Sequence, residues 1–85
     1  MKKADTYLYP AVFGYAPGQE ISVVFPDLDV ATSGVDEADA MASARELLGI
    51  TLFGLEEDGE AIPAPTPLPN VQTDPSERAV LIDVF

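Results

Sequence analysis

The sequence predicts an α+β fold: a three-stranded antiparallel meander, one long helix on one face, and a final strand joining the sheet. Three observations predict it. Between Asp36 and Glu57, Ala40, Met41, Ala44, Leu47, Leu48, Leu52 and Leu55 recur at spacings of three and four, with Thr51 in the remaining slot. That pattern is one stripe of an α-helix. Ahead of it, Thr6–Tyr15 and Glu20–Phe25 are rich in branched and aromatic residues and flank Ala16-Pro17-Gly18-Gln19, a turn signal. Behind it, Arg78–Phe85 (RAVLIDVF) is an apolar run of strand length.

Taken in order, Tyr7, Tyr9, Ala11, Phe13 and Tyr15 share one parity of the first run, and Leu8, Pro10, Val12 and Gly14 the other. Pro10 cannot donate a ladder hydrogen bond, so this run is expected to be an edge strand or to bulge there. The three tyrosines fit either ordinary sheet packing or a half-wet surface, because a phenol needs a polar partner at its tip. Pro17 and Gly18 suit the two central positions of a type II turn, which makes the first two strands a hairpin. In the second strand Ile21, Val23 and Phe25 alternate against Ser22 and Val24. Pro26-Asp27-Leu28-Asp29 breaks it, Val30–Ser33 forms a short third strand, and Gly34 closes that strand.

Asp36 is a suitable N-cap, with Asp39 standing in for the acid of a capping box. Asp36, Glu37 and Asp39 place negative charge at the positive end of the helix dipole. Away from the apolar stripe lie Asp39, Ser43, Glu46 and Ile50, with Arg45 to one side and Phe53 also off the stripe. Ile50 and Phe53 either form an exposed apolar patch, which reads as a partner surface, or widen the stripe under sheet and loop. Gly49 is expected to mark a close approach by a neighbouring element. Gly59 suits a left-handed helix cap after Glu56-Glu57-Asp58, and those three acids oppose the dipole at this end. Ile62-Pro63-Ala64-Pro65-Thr66-Pro67-Leu68-Pro69 is expected to be a stiff, extended, non-helical crossover, and Asp74–Glu77 a single helical turn. Arg78–Phe85, apolar on both faces, is expected to be a central strand or to pair at an interface.

Length and composition bound the function. With 85 residues the chain is expected to be one domain, 1–85, with a thin core. Fifteen acidic residues against four basic ones give a net charge of −11, which repels phosphate backbones and favours a basic protein partner. Acidity that merely keeps a small domain soluble is the plainer explanation. There is no cysteine and no histidine, which removes disulfides, thiol nucleophiles, zinc sites of the usual kind and imidazole acid–base chemistry. No apolar run approaches the length that spans a bilayer. The N-terminal Met1-Lys2-Lys3-Ala4-Asp5 lacks the apolar core of a signal peptide. A cytoplasmic protein is expected.

Asp27 and Asp29 form a close acid pair in a loop, but calcium loops use more oxygens in a defined pattern. Asp27 is expected to cap its own turn. A residual magnesium-dependent nuclease at Asp27 and Asp29 is the remaining enzymatic reading. With no catalytic pair and no phosphate loop, the chain is expected to be no enzyme, with no cofactor and no metal.

Several short motifs, in order, resemble the HicB antitoxin family of bacterial toxin–antitoxin pairs. They are Tyr9-Pro10-Ala11-Val12-Phe13, Phe25-Pro26-Asp27-Leu28, Thr32-Ser33-Gly34 leading into an acidic helix start with Ala40, Gly54-Leu55-Glu56-Glu57-Asp58-Gly59 followed by Ile62-Pro63, and Ala79-Val80-Leu81-Ile82-Asp83-Val84. Together they span about residue 7 to 85. The resemblance implies a degraded RNase-H-like fold with no nuclease site. It also implies a role: occluding a small basic mRNA interferase toxin of the HicA kind. Two departures count. The loop after Leu28 reads Asp29-Val30 where the family commonly has Pro-Gly-Cys. Family members also usually continue into a DNA-binding module, and none follows Phe85 here, so operator binding is not among the expectations.

The expected function is therefore an antitoxin-like module that neutralises a basic toxin by contact. Its candidate contact residues are Asp27, Asp29, Asp39, Glu46, Glu56, Glu57 and Asp58. A homo-oligomer, dimer or tetramer, is expected, with no direct nucleic-acid or membrane partner. The alternative is an orphan oligomerising module with no toxin, built on the closing strand or on Ile50 and Phe53.

Overall fold

The computed structural model describes residues 7–84, so expectations about Met1-Lys2-Lys3-Ala4-Asp5, Thr6 and Phe85 lie outside the described residues. Four strands and one long helix follow the order β1 (Tyr7–Gly14), β2 (Ile21–Phe25), β3 (Val30–Gly34), α1 (Glu37–Glu57) and β4 (Glu77–Val84). The strands form a single sheet in the order β3-β2-β1-β4, antiparallel throughout. This is the α+β meander with one helix and an added final strand.

Local chemistry sets the connections. Gln19 N–H donates to the Ala16 carbonyl at 3.1 Å, with Gly18 at φ +72, the left-handed position of a type II turn. Asp36 caps α1: its Oδ1 accepts from Asp39 N–H at 2.8 Å, while Asp39 Oδ2 accepts from Val35 N–H at 2.9 Å. The far end closes as a Schellman motif. Gly59 at φ +67 donates to the Glu56 carbonyl at 3.1 Å, and Glu60 N–H to the Leu55 carbonyl at 2.9 Å.

The strand order corrects two expectations. Among the described residues β4 is an edge strand bonded to β1 alone, which overturns its reading as a central strand and leaves that of pairing at an interface, and β1 lies inside the sheet, not at its edge. Side-chain polarity and the missing N–H of Pro10 do not report strand neighbours. Tyr15 N–H donates to the Ser76 carbonyl at 2.9 Å, one step beyond the last β1–β4 pair, Gly14 with Glu77. Antiparallel pairs alternate between bonded and non-bonded. Phe13, Ala11, Tyr9 and Tyr7 therefore turn their amides toward β4, and the missing N–H of Pro10 falls on the β2 side. There the β1–β2 pairs run only from Gly14 to Val12, so Pro10 breaks no ladder.

The core lies between α1 and the inner face of the sheet. Tyr9, Ala11, Phe13, Ile21, Val23, Phe25 and Ile82 meet Ala40, Ala44, Leu48 and Leu52, all buried. Burying each large side chain contributes about 1.5–3 kcal/mol. Met41, Leu47 and Leu55 flank this stripe, half-buried. Gly34 lets the start of α1 sit directly on β3, since a Cβ there would meet the backbone of Ala40. Further along, a Cβ on Gly49 would lie 3.4 Å from Val84 of β4, the close approach that its position suggested. The helix thus crosses the sheet from β3 toward β4.

The crossover from α1 to β4 is irregular through Pro67 and then makes one 3₁₀ turn, Leu68–Asn70. This corrects the expectation of wholly non-helical chain. Pro69 is tolerated because the first residues of a helical turn need no N–H partner. Asp74–Glu77 is a turn rather than a helical start: the Asp74 carboxylate accepts from both the N–H and the hydroxyl of Ser76, and β4 begins at Glu77.

Candidate functional site

The acidic side chains singled out in the sequence fall at three places. Asp27 and Asp29 sit in the β2–β3 turn, Asp39 and Glu46 on α1, and Glu56, Glu57 and Asp58 at its C-terminal end. Asp27 is half-buried and is already engaged. Its Oδ2 accepts from Thr66 N–H at 2.9 Å, and its Oδ1 from the Thr66 hydroxyl at 2.6 Å. The turn itself closes without it, through Leu28 and Asp29 N–H to the Phe25 carbonyl. Asp27 therefore clasps the crossover instead of capping its own turn. Asp29 occupies the left-handed region at φ 56 and is exposed.

Glu56 accepts from the Tyr7 hydroxyl at 2.6 Å, and Asp39 is committed to Val35 N–H. The carboxylates of Asp29, Glu46, Glu57 and Asp58 accept no hydrogen bond among the described residues and are exposed. Among the described residues no three acids converge in the way that a metal ion needs.

On α1, Asp39, Glu46, Ile50, Phe53 and Glu57 follow one another at helical spacing and make one outward stripe. Ile50 is 63% exposed and Phe53 62%, which selects the exposed-patch reading over the covered one. Phe53 also borders a cleft with Tyr7, Leu52, Glu56 and Val84. The stripe thus has an exposed apolar centre with acids on both sides.

Most of the chain repeats a known arrangement. It is similar to one chain of a toxin–antitoxin complex. That solved structure, from Streptococcus pneumoniae, superposes with a TM-score of 0.82 at 27% identity, covering 94% of this chain and 69% of that one. No family model and no curated protein matches the sequence. The likeness extends over nearly all of the fold, the acidic helix included.

The tyrosines are tied into the same frame. Tyr9, buried, donates its hydroxyl to the Pro63 carbonyl. Burial raises its pKa above the usual value, and the negative charge of Asp27 adds to this. Tyr15 is also raised, first by burial and then by a hydrogen bond with Glu37 and that group's charge, with Arg78 opposing. Pairing of Tyr7 with Glu56 was not legible in the sequence, because 49 residues separate them. No helix among the described residues is long and apolar enough to cross a membrane.

Proposed function

We propose that this chain is an antitoxin-type binding module that neutralises a small basic toxin by covering it, as the HicB-like motifs imply for a HicA-like mRNA interferase. The observation that carries the reading is the 94% coverage of this chain at 27% identity by a chain of a toxin–antitoxin complex. The net charge of −11 supports it, because an acidic surface competes with RNA for the toxin's Lys and Arg and speeds encounter.

The contact is the α1 stripe: Asp39, Glu46 and Glu57 as the charged rim around Ile50 and Phe53. Glu56, Asp58 and Asp29 extend the negative field, and Asp27 contributes by holding the crossover in place. The module binds and does not catalyse.

The test is binding to the small basic protein encoded by the neighbouring reading frame, with RNA cleavage by that protein as a second readout. The expected result is a dissociation constant below about 10 μM at physiological salt, weakening as salt rises. Glu46→Lys combined with Phe53→Ser is expected to weaken binding at least about tenfold and to restore cleavage. No binding to any such neighbour overturns the proposal. Binding that the double variant leaves intact overturns the assigned surface.

A further inference from the structure

The open edge of β4 is left unexplained by the toxin-binding reading. Its eight residues pair with β1 on one side only. By the alternation established from Tyr15 and Ser76, the amides of Arg78, Val80, Ile82 and Val84 point toward β1. Those of Ala79, Leu81 and Asp83 therefore point outward, and no strand among the described residues receives them, while Glu77 N–H donates to the Asp74 carbonyl at 2.9 Å. Natural edge strands are commonly blunted by proline, a bulge or several lysines; β4 has no proline, pairs with β1 without a bulge and carries no lysine. Leu81, at its middle, is 44% exposed.

Charge distinguishes the possible occupants. Arg45 and Arg78 are the two cations among the described residues, and both lie at this edge. Arg78 is in β4 itself. Arg45 reaches from the helix layer to Asp83 at 3.4 Å. These two cations offset Glu77 and Asp83, so the edge is close to neutral in a chain with net charge −11. A basic protein is drawn to the acidic helix stripe in preference to this edge, where an acidic copy of the same chain meets little net repulsion.

We infer that β4 pairs antiparallel with β4 of a second copy, joining two four-stranded sheets into one of eight strands about a two-fold axis. Side-chain parity restricts the register, because opposite residues must share a face. An axis through Val80 sets Glu77 against the second copy's Asp83, like charges face to face, which is unfavourable. An axis through Leu81 instead sets Leu81 against its own counterpart, Val80 against Ile82, and Asp83 against the small Ala79. Of these two registers, the Leu81-centred one avoids the like-charge pair and joins apolar residues. This interface is self-complementary, as a closed dimer requires, and it leaves the α1 stripe open. It does not rest on the toxin-binding reading.

Light scattering after size exclusion tests it on the full chain at about 100 μM, a concentration at which a weak dimer is populated. The expected mass is twice the chain's 9.0 kDa. Leu81→Lys is expected to return it to the single-chain value. Leu81→Pro is expected to do the same without disturbing β1, because the N–H that it removes points outward. Gln19→Lys, which makes the same charge change in the hairpin turn, is expected to leave the dimer intact. Circular dichroism confirms that each variant is folded. A wild-type monomer at that concentration overturns the inference, as does a dimer that survives both folded Leu81 variants. Loss of binding to a basic partner in Leu81→Lys, with the dimer unchanged, also overturns it by assigning the edge to that partner.

Discussion

Asp27 and Thr66 are joined twice across 39 residues of sequence, the carboxylate accepting the backbone N–H of Thr66 at 2.9 Å and its hydroxyl at 2.6 Å. This clasp ties the crossover to the β2–β3 turn, on the side of β1 that β2 leaves unpaired. The neighbouring residues Ile62–Pro65 line a groove with Tyr7, Leu8 and Tyr9. A proline-punctuated segment makes no regular ladder of its own, so side-chain bonds must hold it.

Removing the clasp has a measurable cost. Asp27→Ala is expected to lower stability by about 1.5–3 kcal/mol, the range for hydrogen bonds to a charged acceptor. Thr66→Val keeps the N–H bond and is expected to cost about 1 kcal/mol. In urea denaturation the double variant should cost less than the sum, since the two residues share one interaction. Strict additivity would show that the Asp27 carboxylate and the Thr66 hydroxyl are not coupled in the folded state.

Gly34 and Gly54 should respond oppositely to the same substitution. A Cβ on Gly34 would lie 2.5 Å from Ala40 Cα and closer still to its nitrogen. Backbone cannot rotate away, so Gly34→Ala is expected to destabilise by at least about 1–3 kcal/mol. A Cβ on Gly54 meets nothing within 4 Å, and Gly54→Ala is expected to gain up to about 1 kcal/mol of helix propensity. Thermal melts read both, at about 4–8 °C per kcal/mol for a domain of this size. Equal melting temperatures for the two variants would contradict the packing of α1 on β3.

Tyr9 couples folding to alkaline pH. A free tyrosine loses its proton near pH 10.0, and burial raises that value in the folded chain, with Asp27 adding to the effect. The folded state therefore holds the proton more tightly than the unfolded one. Stability is fully present below pH 10.0 and is lost as pH rises through the higher folded value. Tyr9→Phe is expected to lower stability at neutral pH, by loss of the hydrogen bond to Pro63, and to make the alkaline decline shallower. Some decline should remain through Tyr15, which is raised as well. An unchanged alkaline slope in Tyr9→Phe would locate the effect elsewhere.

Local structure is legible from residue order: the Pro17-Gly18 turn, the Asp36 cap, the helical stripe and the Gly59 terminus. Each depends on residues within a few positions of one another, where backbone preference and capping act directly. The acids and the off-stripe Ile50 and Phe53 were legible for the same reason, since helical spacing alone puts them on one face. Strand neighbours emerge only in the folded chain, because period-two alternation reports a face and never a partner. Folding turned Pro10 from an edge signal into an interior residue whose missing N–H faces an unpaired side, and it placed the two-sided apolar β4 at the rim. It also drew Asp27 into the fold and left Glu46, Glu57 and Phe53 exposed. Those outcomes depend on contacts between residues tens of positions apart, and chain packing selects those contacts where sequence spacing cannot.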